Sequence, residues 1–104
     1  MEPAIKFGPR TVLDASLGQG HGLWTADVDG DDEVFAGDRG SATSVLMFDF
    51  DGRTWGRTVV DRSIAAQDLR GGDLDGDGTP DVVAVGGRTH NVIWYRSRVS
   101  PPPH

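Results

Sequence analysis

Cysteine is missing from all 104 residues. Its absence excludes a disulfide scaffold, a Cys-ligated zinc site and a thiol nucleophile. Positive charge is short: 10 Lys and Arg stand against 16 Asp and Glu, for a net charge of −6. Phosphate contacts need a basic face, so no nucleic-acid partner is expected. Long apolar runs are lacking too, and nothing approaches the roughly 18 residues of a membrane helix. The opening Met1-Glu2-Pro3-Ala4-Ile5-Lys6 has no apolar signal-peptide core. The expected compartment is cytoplasmic if Met1 is the native start, and extracellular if the chain is trimmed from a longer one. No Ser-His-Asp triad, phosphate loop or dinucleotide fingerprint is present, so hydrolase, kinase and dehydrogenase readings have no support.

A helical period of useful length is also absent. The chain is rich instead in Asp and Gly: 14 of its 16 acids are Asp, and 15 residues are Gly. Both favour turns, and clustered Asp is what a hard cation needs. The composition suits many short strands joined by acidic turns, within one domain.

The sequence repeats itself over about half its length. Leu23-Trp24-Thr25-Ala26-Asp27-Val28-Asp29-Gly30-Asp31 aligns with Leu69-Arg70-Gly71-Gly72-Asp73-Leu74-Asp75-Gly76-Asp77 at an offset of 46. Thr11-Val12-Leu13-Asp14 matches Thr58-Val59-Val60-Asp61, and Val45-Leu46-Met47-Phe48 matches Val92-Ile93-Trp94-Tyr95, both at 47. Each copy reads as short apolar or β-branched runs bounded by Gly, Asp and Pro. The predicted strands are Lys6–Leu13, Gly22–Ala26, Glu33–Asp38, Val45–Phe50, Thr54–Val60, Leu69–Gly72, Asp81–Gly86 and Val92–Arg96. Asp51-Gly52 signals a hairpin turn between two of them.

With the strands of one unit labelled a to d, the chain reads d-abcd-abc. The fold class is all-β: two four-stranded β-propeller blades, since a period in the forties with four strands per repeat is the pattern of a blade. Repeat one covers about 15–61, repeat two about 62–96 completed by the strand at 6–13, and 97–104 is a Pro-rich tail. Propellers have about four to eight blades, so two cannot close a ring. The chain is then either part of a longer propeller or assembles with itself, three copies making six blades and four making eight. In the second case the N-terminal strand of one copy would complete the last blade of the next, head to tail. An open sandwich monomer is the competing architecture.

The clearest motif is Asp73-Leu74-Asp75-Gly76-Asp77-Gly78-Thr79-Pro80-Asp81. Calcium takes six to eight oxygens in flexible geometry, and Gly76 and Gly78 permit the turns that fold oxygens inward. The candidate ligands are the side chains of Asp73, Asp75, Asp77 and Asp81 with the Thr79 carbonyl. An EF-hand opens similarly but needs Glu at its twelfth position. Here that position is Ala84 and strands flank the loop, so the EF-hand is rejected. The first copy, Asp27-Val28-Asp29-Gly30-Asp31-Asp32-Glu33, is two residues shorter and lacks the second Gly. Asp27, Asp29, Asp31 and Glu33 form the weaker candidate set, with Asp32 or Glu33 in the place of Asp81. A structural role is expected for the cation, because neither loop holds a His.

The run Gly72-Asp73-Leu74-Asp75-Gly76-Asp77-Gly78-Thr79-Pro80-Asp81-Val82-Val83, followed by Asn91-Val92-Ile93-Trp94-Tyr95, resembles the FG-GAP/VCBS repeat family. The resemblance spans nearly the whole chain as two repeats, the second closer than the first. It implies Ca2+-bearing propeller blades, as in the integrin α-subunit head. Similar repeats occur in polysaccharide lyases and an aldos-2-ulose dehydratase. Small bacterial fucose-binding lectins are an architectural parallel, with six blades made from three two-blade chains. Fold alone does not fix function, and these remain analogies.

The a–b loops of a blade lie at one end, and the d–a and b–c loops at the other. The second end collects Gln19, His21, Asp38, Arg39, Arg88 and His90. Such a set can bind a carboxylate or sugar, or supply acid–base chemistry near neutral pH. His90-Asn91 can equally shape a turn. His21 lies between two glycines and has Gln67 as its counterpart. Trp24 aligns with Arg70 and is the aromatic chosen for ligand contact, while Trp55 and one of Trp94-Tyr95 are expected to pack.

Three functions follow. One is a calcium-stabilised, lectin-like module that binds carbohydrate or protein on the face opposite the calcium loops. Another is a lyase, dehydratase or isomerase on a sugar-like or small polar substrate, using His21 and His90 with Arg39 or Arg88. The last is a structural fragment of a larger propeller.

Overall fold

The structure, a computed structural model, describes residues 6–28 and 30–98. Asp29 of the first acidic loop and the tail from 99 onward lie outside the described residues. Seven strands follow in order: β1 (Gly20–Asp27), β2 (Asp32–Asp38), β3 (Ser44–Phe50), β4 (Trp55–Asp61), β5 (Ala66–Gly72), β6 (Asp81–Gly86) and β7 (Asn91–Tyr95). Among the described residues there is no helix. The strands form two antiparallel sheets, β1-β2-β3-β4 and β5-β6-β7.

The local chemistry accounts for these elements. Between β3 and β4, Asp51 Oδ1 accepts the Arg53 and Thr54 amides, each at 2.8 Å. Gly52 supplies the left-handed residue of that turn at φ 98°. Along β7 the burial alternates strictly, with Ile93 and Tyr95 turned inward and Val92 and Trp94 outward. A strand with one wet face reads this way because successive side chains point to opposite sides. The repeat persists in three dimensions. β1 breaks register with β2 between Gly20 and Gly22, and β5 breaks register with β6 between Ala66 and Asp68.

One predicted strand is absent. Residues 6–13 form no strand, and the second sheet therefore has three strands instead of four. A strand exists only through hydrogen bonds to a neighbour, and among the described residues, 6–13 pair with no strand. Gly8-Pro9 also removes a donor within it.

The sheets pack face to face, with β1 and β2 against β5. Between them lies the main core, in which Phe35 and Val45 of the first sheet meet Ile64, Leu69, Val82 and Ala84 around the second. Each fully buried aliphatic side chain there contributes roughly 1.5–3 kcal/mol. The approach is close: a Cβ on Gly37 would sit 2.7 Å from the Ala66 Cβ, and one on Gly71 would sit 2.1 Å from Trp24 Nε1. A second cluster covers the other face of the first sheet, where Leu13 and Leu17 lie on Ala36, Leu46 and Phe48.

Candidate functional site

The loop joining β5 to β6 is wound around its own carboxylates. Asp73 Oδ1 accepts the amides of Gly76 at 2.9 Å and Asp77 at 3.1 Å, and its Oδ2 accepts Gly78 at 2.8 Å. Gly76 and Gly78, at φ 76° and 91°, make the left-handed bends that this winding requires. Asp81 opens β6 fully buried. Its Oδ2 accepts the Leu74 amide at 3.3 Å and its Oδ1 the Ser97 amide at 2.9 Å. Asp73, Asp75 and Asp81 each offer a carboxylate oxygen to one spot, all within 4.8 Å of one another.

Asp77 is outside that trio and accepts the Thr79 amide at 2.9 Å. Asp75 pairs with Arg96 at 2.5 Å. Burial raises the Asp75 carboxyl, but the Asp77 amide and the Arg96 guanidinium outweigh it and hold the group below its usual range. The donor set is all oxygen, which fits a hard divalent ion such as calcium.

The first acidic loop repeats part of this design. Asp27 Oδ1 accepts the Gly30 amide at 2.7 Å, as Asp73 does for Gly76. Glu33 Oε2 accepts the Val28 amide at 2.8 Å, as Asp81 does for Leu74. Glu33, buried like Asp81, is therefore the residue that takes its place, and exposed Asp32 is not. Among the described residues, Asp27, Asp31 and Glu33 do not converge as a group of metal ligands.

At the other end of the sheets, Gln19, Arg39, Ala65, Gln67 and Arg88 line an open cavity of about 260 Å³. Arg39 Nη1 donates to Gln67 Oε1 at 2.9 Å. His21 Nδ1 lies 2.7 Å from the Gln67 carbonyl, which can only accept, so Nδ1 carries the proton. Arg88 spans the wall, donating from Nε to the Arg39 carbonyl at 3.4 Å and from Nη2 to the Gly40 carbonyl. The Nε of Arg39 is buried with no hydrogen-bond partner.

Asp38 stands behind this rim. It is 2% exposed, and its carboxylate accepts the amides of Gly18 at 3.0 Å, Gln19 at 2.9 Å and Gly40 at 2.8 Å. Burial raises this carboxyl, the three amides outweigh it, and the group titrates below the usual range. Its work is to shape the loops that carry Gln19 and Arg39. His90, exposed and at φ 53°, donates its amide to the Gly87 carbonyl at 3.1 Å and thus closes the β6–β7 turn.

The rim thus unites Gln19, His21, Arg39 and Arg88. It does not take in Trp24, which packs between the sheets against Gly71 with the Arg70 guanidinium 5.7 Å above its ring. Trp55 packs at a tilt against Phe50 within its own hairpin, ring centroids 5.3 Å apart and planes 39° apart. Gln67, which bonds both His21 and Arg39, was not among the candidates from sequence. Its signal was its alignment with His21, which marks one position of the repeat facing one rim. Comparison with protein-family models, curated proteins and solved structures finds no match to this chain.

Proposed function

We propose that the chain is a calcium-stabilised pair of β-propeller blades that binds a ligand, carbohydrate before protein, on the rim opposite the acidic loops. The observation that carries it is the convergence of Asp73, Asp75 and buried Asp81 on one spot at the β5–β6 turn. Three carboxylates so close repel one another, and a divalent cation converts that repulsion into a clamp on the turn. The FG-GAP/VCBS resemblance of the same loop points the same way.

The rim supports binding over turnover. Two guanidinium groups and two carboxamides around an open cavity, with the His21 imidazole held on the Gln67 carbonyl beside them, suit the hydroxyls and carboxylate of an acidic sugar. Their donors are largely tied to one another and to backbone carbonyls, which fixes a shape. A lyase with His21 and His90 as acid and base has less behind it, since His90 serves the turn through its backbone.

Calorimetric titration with CaCl2 tests the first half of the reading. One tight calcium per chain, lost in Asp81→Asn, supports it; no heat in either protein overturns it. Amide-shift titration with glucuronate and with glucose tests the second half. Shifts confined to Gln19, Arg39, Gln67 and Arg88 support it.

A further inference from the structure

The stretch leading into β1 lies on the first sheet as the stretch leading into β5 lies on the second. Ser16 donates its amide and hydroxyl to Asp14 Oδ1 at 2.6 and 2.5 Å, and Ser63 donates both to Asp61 Oδ1 at 2.8 and 2.7 Å. Leu17 packs on one sheet where Ile64, 47 residues on, packs on the other. The Arg39 amide donates to the Gln19 carbonyl at 3.0 Å, and the Gly87 amide to the Ala65 carbonyl at 3.2 Å. Ahead of Asp61 comes β4, the outer strand of a neighbouring sheet. Ahead of Asp14 comes 6–13, which repeats the β4 sequence Thr58-Val59-Val60 as Thr11-Val12-Leu13 but joins no sheet as a strand. Phe7 in this stretch is 96% exposed. Conversely, among the described residues, β7, counterpart of β3, has no strand on its far edge where β3 has β4.

The faces tell the same story. The second sheet turns Leu69, Val82, Ala84 and Ile93 to the first. Their counterparts Leu23, Val34, Ala36 and Leu46 lie on the outer face of the first sheet, beside a groove of about 280 Å³. The first sheet turns Phe35, Val45 and Met47 to the second. Their counterparts Val83, Val92 and Trp94 lie on the outer face of the second, where Val92 is 70% and Trp94 46% exposed. The chain therefore carries on its outside both halves of the interface it holds inside.

We infer that the occupant of both outer faces is a second copy of this chain, docked head to tail. Residues 6–13 of one copy add to the open β7 edge of the next, giving that sheet its fourth strand. The outer face of that completed sheet, with Val92 and Trp94, packs on the first copy's Leu23, Val34 and Phe48. The pairing of Leu46 with Val59 sets the register, placing Val12 opposite Ile93. Pro9 is admissible there because the added strand is an edge strand. One chain cannot satisfy itself, since Leu13 and Leu17 anchor the segment on the far side of the first sheet. The inference rests on the repeat, so a failure to bind calcium leaves it standing.

The test uses the full chain and its lack of cysteine. Light scattering, in calcium and in chelator, is expected to give a multiple of 11.1 kDa, reduced to a single chain by Trp94→Asp. Val12→Cys and Ile93→Cys are made separately, mixed and oxidised. The mixed disulfide is expected to exceed either homodimer at least about tenfold, because docking holds the two thiols at millimolar effective concentration. A monomeric mass for the unmodified chain across the micromolar range overturns the inference. So does a statistical mixture of disulfides.

Discussion

Tyr95 and Asp61 tie the two sheets together: the phenol at the end of β7 donates to Asp61 Oδ2 at the end of β4, 2.6 Å away. Burial and the carboxylate beside it push the Tyr95 hydroxyl well above the ordinary phenol range. Burial raises the Asp61 carboxyl, but Tyr95 and Ser63 more than offset it, and the group titrates low.

Tyr95→Phe is expected to cost about 1–2 kcal/mol at neutral pH, measured by urea unfolding, because a partly buried carboxylate loses its donor. The signs of the pH dependence differ for the two partners. Asp61, with a lowered folded pKa, contributes stability that is present above the unfolded value of about 4 and fades as pH falls through its folded pKa. Tyr95, with a raised one, contributes stability that is complete below about 10 and fades as pH climbs towards its folded pKa. The Phe variant should therefore show a flatter alkaline limb than the parent.

Calcium is expected to raise the melting temperature by several degrees. Ligand at 100 times its Kd adds about 2.7 kcal/mol, and chelator should reverse the shift. Asp81→Asn should abolish it, and the substitution keeps an acceptor for only one of the Leu74 and Ser97 amides. Asp27→Asn should leave most of it. Scanning fluorimetry on the three proteins checks the set, and an unshifted parent would remove calcium from the account.

Asp38→Ala and Arg39→Ala should separate shape from recognition. Removing the buried Asp38 carboxylate leaves the amides of Gly18, Gln19 and Gly40 without their acceptor, a loss of roughly 2–4 kcal/mol. Arg39→Ala should leave unfolding within about 1 kcal/mol of the parent and weaken glucuronate binding about tenfold, the equivalent of one charge-assisted hydrogen bond. Urea unfolding and amide-shift titration read the two effects.

Gly37→Ala should destabilise by about 1–3 kcal/mol, since the new methyl meets the Ala66 Cβ at 2.7 Å. Gly52→Ala, in an open turn, meets nothing and should suffer only the strain of its φ of 98°. A Gly37 variant as stable as the parent would mean that the sheets are not held this closely.

Much of the fold was legible because alternation and turn chemistry are local. Asp81–Gly86 was read to the residue, and Asp51-Gly52 makes the hairpin it signalled. The strand at 6–13 has the right composition, yet composition cannot provide a pairing partner. In the acidic loops the sequence left Asp32 and Glu33 as equals. Side-chain direction on β2 separated them, burying Glu33 and exposing Asp32. Trp24 looked available because it breaks the repeat. Only the packing of β1 on β5 reveals that it breaks it by filling the space above Gly71. Gln67 stayed hidden because its role arises from two contacts, 46 and 28 residues away in sequence.

Glu33 and Asp81 perform one task at different distances. The first loop is two residues shorter, and its carboxylate reaches the Val28 amide on one extra methylene. Loop length and side-chain reach are thus interchangeable at this corner. A lineage carrying such repeats can shed or regain the glycine-rich cradle of a loop by a two-residue deletion or insertion, with a single Asp–Glu exchange keeping the hairpin closed. The convergence of carboxylates and the closure of the hairpin can then diverge between copies, as they do between these two loops.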